Sequence, residues 1–179
     1  MYGIVTIVDG VGRAQIEALW AELRTDYGDA ALEGFSLPHM TYHVADDYDL
    51  DGLHELLQRL AAGQPAFTAP MRTLGALVGE QGMVTSLVPA RTPALSALHA
   101  ALWEPASALG TNVVEHYAPA AWTPHVSLGY DPRILEAAPR MAEAMRAGRL
   151  PTTLEVDNLS VIEEQPYGHD RVIEVPLAR

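Results

Sequence analysis

Apolar residues recur along the chain with two different periods, and the period changes several times. Runs rich in β-branched and aromatic residues between Gly, Pro or Asp predict strands, whereas apolar residues spaced three or four apart predict amphipathic helices. The predicted strands cover residues 2–8, 39–44, 67–77, 83–88, 121–130, 153–163 and 171–176, and the predicted helices cover residues 13–27, 50–61, 92–107 and 133–147. The elements therefore follow the order βαβα, ββα, βαββ.

This order mixes hairpins with helical crossovers, which favours an α+β fold over a doubly wound parallel sheet. The 179 residues fit one compact domain. No low-complexity tract or linker divides the chain, and residues 63–70 form the only plausible seam. We therefore expect residues 1–179 to form a single domain.

The charge distribution limits the class of partner. The chain has 11 basic and 23 acidic residues, a net charge of −12, and every basic residue is arginine. A domain that grips a long RNA backbone normally carries a basic stripe, whereas these arginines are scattered. The net negative charge and the scattered arginines favour a small nucleotide or an RNA terminus as the partner over an extended nucleic acid. Local arginines can still face one phosphate.

Composition also limits the chemistry and the compartment. The absence of cysteine excludes disulfides, thiol nucleophiles and thiolate metal sites. No apolar run approaches the roughly 18 residues that would span a membrane, and no basic-then-apolar leader is visible. We expect a cytoplasmic monomer that binds no membrane.

Two short segments carry nearly the same pattern. Residues 38–42 read Pro-His-Met-Thr-Tyr and residues 124–128 read Pro-His-Val-Ser-Leu. Because successive side chains of a strand point to opposite faces, the histidine and the hydroxyl residue of each segment share one face, opposite the apolar residues. The pairs are His39 with Thr41 and His125 with Ser127. One copy could be ordinary surface alternation, but two copies after proline in the same context are harder to explain that way.

The two motifs, 86 positions apart, resemble those of the two-histidine (2H) phosphoesterase superfamily, in particular the 2'-5' RNA ligases and RNA 2',3'-cyclic phosphodiesterases. The order of elements is similar over essentially the whole chain. The resemblance implies a bilobal α+β fold with pseudo-twofold symmetry, in which two antiparallel or mixed sheets surround a central cleft and helices lie outside. The motif strands are then expected to line that cleft.

The same resemblance implies a phosphodiesterase that opens 2',3'-cyclic phosphates to 2'-phosphomonoesters without a metal or cofactor. Opening the ring requires a water to lose a proton and a ribose oxygen to gain one, and two imidazoles with a pKa of about 6.5 can do both. The hydroxyls of Thr41 and Ser127 can stabilise the charge on the non-bridging oxygens. In the family the first histidine is taken as the donor, which makes His39 the acid and His125 the base. Their Nε2 atoms should lie roughly 5–8 Å apart, with one phosphate between them.

One departure concerns the residue after the second motif. Many relatives carry a basic residue where this chain has Tyr130, so the usual phosphate-contacting cation is in doubt. Tyr130 can stack on a base or, by strand parity, pack in the core. Trp122 is likewise a candidate base-stacking wall or a core residue. His43 shares the predicted face of His39 and is expected to line the cleft.

The sequence also allows other interpretations of its polar residues and of its function. A metal site of His39, His43 and residues 46–47 is disfavoured, because His-x-x-x-His spacing suits a helix. The acidic turn 46–49 is expected to be a solvated turn that caps the next helix. Competing functions are 2'-5' ligation in the reverse direction and a nucleotide-binding module that has lost turnover. The remaining phosphate-binding candidates are Arg91, Arg133 and Arg171, and no role is assigned to His54, His99, His116 and His169.

Overall fold

The computed structural model describes residues 1–79 and 82–178. Its strands are β1 Tyr2–Ile7, β2 His39–Ala45, β3 Asp47–Tyr48, β4 Phe67–Pro70, β5 Thr73–Gly79, β6 Gly82–Val88, β7 Gly110–Thr111, β8 Val126–Gly129, β9 Thr153–Val156, β10 Asn158–Gln165 and β11 Gly168–Pro176. Its α-helices are α1 Gly10–Tyr27, α2 Leu50–Gly63, α3 Pro93–Ser107 and α4 Ala138–Arg146. Short 3₁₀ helices lie at Asp29–Leu32, Glu115–Tyr117 and Pro132–Ala137.

Capping residues explain where several helices begin and end. The side chain of Asp49 accepts a hydrogen bond from the N–H of Gly52 at the start of α2, and Thr92 does the same for Leu95 at the start of α3. Gly28, with φ of 87°, ends α1 while its N–H donates to the carbonyl of Arg24. The predicted capping of α2 is confirmed.

The main sheet has the order β11-β10-β1-β2-β8-β6-β5, and its described pairs are antiparallel. It consists of two halves that meet at β2 and β8, where the register has one pair, Met40 with Val126. The α+β class is confirmed. The two expected sheets are joined edge to edge at the motif strands, and the pseudo-twofold symmetry of the whole fold stays a prediction.

The helices build the main core against one face of this sheet. The apolar positions that repeat along α1 and α2 are buried, as their spacing predicts: Ile16, Leu19, Leu23, Leu53, Leu56 and Leu57. On the opposite face of the sheet, a small cluster of Val5, Ile7, Leu37 and Ile162 lies under the first motif. None of the described helices is long and apolar enough to cross a membrane.

A β-bulge interrupts the pairing of β1 with β2. Ile4 pairs with His43 and Val5 pairs with Thr41, which leaves Tyr42 as an extra residue on β2. The alternation of faces therefore changes at this point, and Tyr42 and His43 are both fully buried. The bulge determines which of the polar residues of β2 reach the cleft.

Candidate active site

The pairing of β2 with β8 brings the two sequence motifs together. Met40 and Val126, the middle residues of the motifs, are opposite each other and fully buried. Continuing this antiparallel register places each motif histidine opposite the hydroxyl residue of the other motif, on the face away from the core. The facing pairs are His39 with Ser127 and His125 with Thr41.

Both histidines are half-buried and lie on a diagonal of this arrangement. Directly opposed residues have Cβ atoms about 4.5–5.5 Å apart, and diagonal neighbours are about 7–8 Å apart. Such a diagonal is compatible with one phosphate between the two rings. The expected Nε2 separation itself stays a prediction.

The two rings are held in the same way by the backbone. Nδ1 of His39 lies 2.7 Å from the carbonyl oxygen of Leu37, and Nδ1 of His125 lies 2.9 Å from that of Thr123. A carbonyl only accepts, so each Nδ1 carries the proton and donates it. Nε2 of each ring is then the nitrogen available to exchange a proton with substrate.

The surroundings of both rings disfavour the charged imidazolium. Burial lowers the pKa of His39 to about 4, with further lowering by the charges of His169 and His125 against the opposing effect of the Leu37 carbonyl. Burial also lowers the pKa of His125, the Thr123 carbonyl opposes this, and the charge of His116 adds to the lowering. Both histidines are therefore neutral at pH 7 in the unliganded protein, and an anionic phosphate would favour their protonation.

An aromatic pocket opens beside His39 and Ser127, and it is lined by Trp20, Gly34, Phe35, Leu37, Tyr130 and His169. Phe35 contacts the ring of Tyr130 at 5.1 Å between centroids and that of Trp20 at 5.6 Å. Side chains of this kind present flat surfaces on which a base can stack. The pocket thus adjoins the proposed phosphate position.

Tyr130 is 59% exposed, so the alternative that placed it in the core is wrong. Strand β8 ends at Gly129, where a Cβ atom would lie 2.1 Å from Ile134 of the following 3₁₀ helix. The pairing of β8 with β6 has a β-bulge, since Thr85 pairs with Gly129 and Ser86 pairs with Ser127, which leaves Leu128 as an extra residue. The alternation of faces therefore shifts before Tyr130. Tyr130 consequently reaches the pocket wall.

His43 does not line the cleft, and its predicted position was wrong. The bulge in β2 turns this side chain into the core, where it is fully buried against Trp103 at 4.6 Å between ring centroids. Its Nδ1 lies 2.5 Å from the hydroxyl of Tyr48, and its Nε2 lies 2.9 Å from that of Ser107. His43 is thus a hydrogen-bonded core residue that shares no site with His39.

Trp122 is 3% exposed, which excludes the base-stacking wall considered from the sequence. Its Nε1–H donates to the carbonyl of Thr41 at 2.8 Å, and its ring packs on Tyr42 and His99. Trp122 therefore links the segment before the second motif to the strand of the first motif through this hydrogen bond.

His169 belongs to the cleft although no role was assigned to it. Its ring centroid lies 4.9 Å from that of His39, in an edge-to-face contact. The loop before β2 meets the turn before β11 at this point, since the N–H of His169 donates to the hydroxyl of Ser36 at 3.0 Å. A residue brought in by a contact between distant segments leaves no local motif, so sequence reasoning missed it.

The arginines considered as phosphate ligands bind elsewhere. Arg91 donates to the carbonyls of Trp122 and Pro119, Arg133 pairs with Asp131, and Arg171 pairs with Glu174 at 2.5 Å. Among the pocket-lining residues that the structure describes, none is an arginine.

The acidic turn between β2 and α2 acts as the expected cap. Asp49 caps α2, Asp47 accepts from the N–H of Tyr48, and Asp46 accepts from the side chain of Asn112. Within residues 1–79 and 82–178, no group of three or more histidines and carboxylates is arranged to hold a metal ion.

A family profile described as "2'-5' RNA ligase superfamily" matches residues 12–167. The chain belongs to this superfamily. The family resemblance inferred from the two motifs is confirmed, and the matched segment of this superfamily member includes both motif strands. No curated protein sequence matches the chain.

Solved structures of E. coli LigT share the fold of this superfamily member. The complex with ATP gives a TM-score of 0.60 at 14% identity, covering 99% of this chain and 97% of that chain. The complex with 3'-AMP gives 0.61 at 14% identity, with 99% and 98% covered. A structure described as a phosphoesterase gives 0.59 at 16% identity, with 99% and 98% covered. At these identities the likeness shows the fold.

Proposed function

We propose that the chain is a phosphodiesterase that opens 2',3'-cyclic phosphates, at RNA ends or on small nucleotides, to 2'-phosphomonoesters. His39 and His125 exchange the two protons, Thr41 and Ser127 bind the non-bridging oxygens, and no metal ion is required. The proposal specifies which reaction this member of the superfamily catalyses.

The observation that carries the proposal is the reciprocal arrangement at the β2–β8 junction. Each histidine lies across from a hydroxyl, and each has its Nδ1 proton committed to a carbonyl. A phosphate between them would meet a proton-exchanging Nε2 on each side and a hydroxyl donor beside each ring. Ring opening by in-line attack needs this separation of proton acceptor and donor.

The aromatic pocket and the net charge of −12 support a small substrate. Phe35 and Tyr130 offer flat surfaces for one base next to His39, whereas a long RNA backbone would be repelled. Binding of 3'-AMP by E. coli LigT, which has the same fold, is compatible with a nucleotide in this place.

A second candidate is the reverse reaction, in which a cyclic phosphate end and a 5'-hydroxyl are joined by a 2'-5' bond. It is favoured by the superfamily's description as RNA ligases. Microscopic reversibility lets the same two histidines exchange their roles, so the site needs no additional group for it.

The experiment is to incubate the protein with each nucleoside 2',3'-cyclic phosphate and with a 2'-5'-linked dinucleotide, with and without EDTA. We expect a 2'-phosphomonoester whose rate of formation is unchanged by EDTA. Complete loss of turnover with EDTA would favour a metal-dependent hydrolase. Binding of the cyclic nucleotide with no turnover by any preparation would instead identify a binding module.

A matched control separates the proposed site from nonspecific hydrolysis. His54 is an exposed histidine on α2, bonded to Gln58 of the same helix. His54→Ala should keep the wild-type rate, whereas His125→Ala should lose it. Equal rates for both variants would show that the turnover arises elsewhere.

A further inference from the structure

A third histidine lies in the aromatic pocket beside the first motif. The rings of His39 and His169 meet edge to face, with an interplanar angle of 70° and 4.9 Å between centroids. His169 is half-buried and lines the pocket together with Phe35 and Tyr130. The function proposed above gives this ring no role.

The position of His169 is fixed by a clasp between two segments, formed by Gly168 and Ser36. The hydroxyl of Ser36 accepts from the N–H of His169 at 3.0 Å. A Cβ atom on Gly168 would lie 2.5 Å from the same hydroxyl oxygen, so a side chain at this position would displace Ser36. The clasp therefore holds the His169 ring at a fixed place in the pocket wall.

The two nitrogens of the His169 ring have different surroundings. Nδ1 is buried and has no hydrogen-bond partner among the described residues. Nε2, by contrast, is neither buried without a partner nor bonded to any residue that the structure describes. Nε2 is therefore the nitrogen that is open to the pocket which the ring lines.

The neutral ring of His169 presents a hydrogen-bond donor to the pocket. A proton on Nδ1 would form a buried N–H without an acceptor, which is rare and costly in proteins. The neutral tautomer therefore carries its proton on Nε2. In a pocket whose walls are largely aromatic and aliphatic, such a polar group determines how a ligand is oriented.

We propose that His169 is a specificity-determining residue, whose Nε2–H donates a hydrogen bond to an acceptor on the base that stacks on Phe35 and Tyr130. The placement of the base rests on the function proposed above. A donor at a fixed place favours a base that presents a carbonyl oxygen or a ring nitrogen there and disfavours one that presents an amino group. His169 thus selects among the four bases.

The charges around His169 favour an acceptor on the base over one on the phosphate. Burial lowers the pKa of His169, and the charge of the exposed Glu164 raises it. Burial raises the pKa of Tyr130, and the charge of Glu164 adds to this effect. Glu164 therefore acts on both sides of the pocket, where its negative charge repels an anion and leaves an uncharged acceptor unaffected.

The test is to measure the affinities for the four nucleoside 2'-monophosphates and for inorganic phosphate by calorimetry, in wild type and in His169→Phe. Phe keeps an aromatic ring against His39 and removes the donor. We expect wild type to bind the preferred base about tenfold more tightly than the least preferred one. His169→Phe should lose about tenfold for the preferred base, bind all four within about threefold, and keep the wild-type affinity for phosphate.

Two amide variants test which ring nitrogen acts. The amide nitrogen of Gln lies near the position of Nε2, and that of Asn lies near the position of Nδ1. His169→Gln should therefore keep the base preference of wild type, and His169→Asn should lose it. His54→Phe, at an exposed position on α2, is the control and should follow wild type. If His169→Phe does not fold, the contrast between the Gln and Asn variants provides the same test.

Several results would overturn the proposal. Equal binding of the four nucleotides by wild type would show that no base is selected. A loss by the same factor for all four in His169→Phe would place the contact on the ribose or the phosphate. Weaker binding of inorganic phosphate, or a lower kcat at an unchanged KM, would make His169 a support for the His39 ring instead.

The binding measurements need no turnover, so they separate this proposal from the proposed function. If no cyclic phosphate is opened but His169→Phe loses the base preference, the proposed reaction fails and the base selection by His169 stands. If cyclic phosphates are opened and the preference is the same in wild type and His169→Phe, the reaction stands and the role of His169 is rejected.

Discussion

Met40 and Val126 face each other across the β2–β8 junction with both side chains fully buried. Their pairing fixes the face on which every other motif residue lies. A slip of one residue in this register would turn the histidines and hydroxyls into the core. The apolar residues at the centre of the two motifs therefore align the chemistry as well as the fold.

Met40→Asp or Val126→Asp should prevent folding. Either change places an unpaired charge in a fully buried position, which costs several kcal/mol against a total stability of about 5–15 kcal/mol. Circular dichroism and thermal denaturation measure the outcome. Met40→Leu is the matched control and should cost less than about 1.5 kcal/mol, since it keeps the volume. A cooperative transition of wild-type size in both Asp variants would show that the motif centres do not hold the junction.

Alanine substitutions within the motifs should reduce turnover while the fold is kept. In the proposed mechanism His39 and His125 exchange protons with the substrate, so His39→Ala and His125→Ala should each lower kcat by about 10²–10⁴. Thr41 and Ser127 are proposed to donate one hydrogen bond each to the developing charge, so Thr41→Ala and Ser127→Ala should cost roughly 10–10³. Steady-state kinetics on a 2',3'-cyclic nucleotide give the values.

All four side chains are half-buried on the cleft face, so their loss leaves the core intact. Unfolding curves of the four variants should overlay that of wild type. A histidine variant that keeps turnover within a few-fold of wild type would remove that residue from the mechanism.

The motifs and their faces could be predicted because they depend on local sequence alone. Alternation in a strand places His39 and Thr41 opposite Met40, and the structure shows this difference in burial. Helical spacing likewise predicts the buried leucines of α2. Periodicity is a property of neighbouring residues, so it can be recognised without knowledge of the tertiary structure.

Three placements depend on information that periodicity lacks. The bulge in β2 reverses the face of His43, and its cause is the pairing with β1, far away in sequence. Tyr130 departs from the strand alternation because a β-bulge at Leu128, where β8 pairs with β6, shifts the faces of the strand. His169 reaches the cleft through a long-range contact, in which its N–H donates to Ser36 of the loop before β2.

Tyr130→Ala should weaken binding of the nucleotide with little effect on kcat. The exposed ring lies on the pocket wall against Phe35, and stacking of one base is worth about 1–3 kcal/mol. We expect KM to rise roughly 5- to 150-fold, and Tyr130→Phe to keep the wild-type KM because it keeps the stacking face. An equal loss in both variants would point to the hydroxyl instead of the ring.

Trp122→Phe, unlike Tyr130→Ala, should lower stability and leave substrate recognition unchanged. Its Nε1–H bond to the carbonyl of Thr41 is buried, and leaving that carbonyl unpaired costs about 1–3 kcal/mol of stability. We expect a lower midpoint in urea and an unchanged preference among the four bases of the cyclic nucleotide. A change in base preference without loss of stability would return Trp122 to the substrate site.

Acid should destabilise the protein partly through His43, whose pKa is lowered to about 4, mainly by burial. In the unfolded chain the pKa of a histidine is about 6.5, so between these two values the unfolded state binds more protons than the folded state. The stabilising contribution is therefore complete above pH 6.5 and is lost as the pH falls to about 4. The lowered pKa values of His39, His99, His125 and His169 act in the same direction.

The substitution His43→Leu measures how much of the acid sensitivity of stability comes from His43. At pH 7 the variant should be less stable than wild type by about 1–3 kcal/mol, because the hydroxyl of Tyr48 loses its partner and that of Ser107 keeps only the carbonyl of Trp103. Between pH 7 and pH 4.5, however, it should lose about 1–3 kcal/mol less than wild type loses, because it has no neutral imidazole to protonate. Urea denaturation at both pH values measures the difference, with the exposed His54→Ala as a control that should follow wild type. Parallel losses in wild type and His43→Leu would mean that the buried imidazole is not a source of the acid sensitivity.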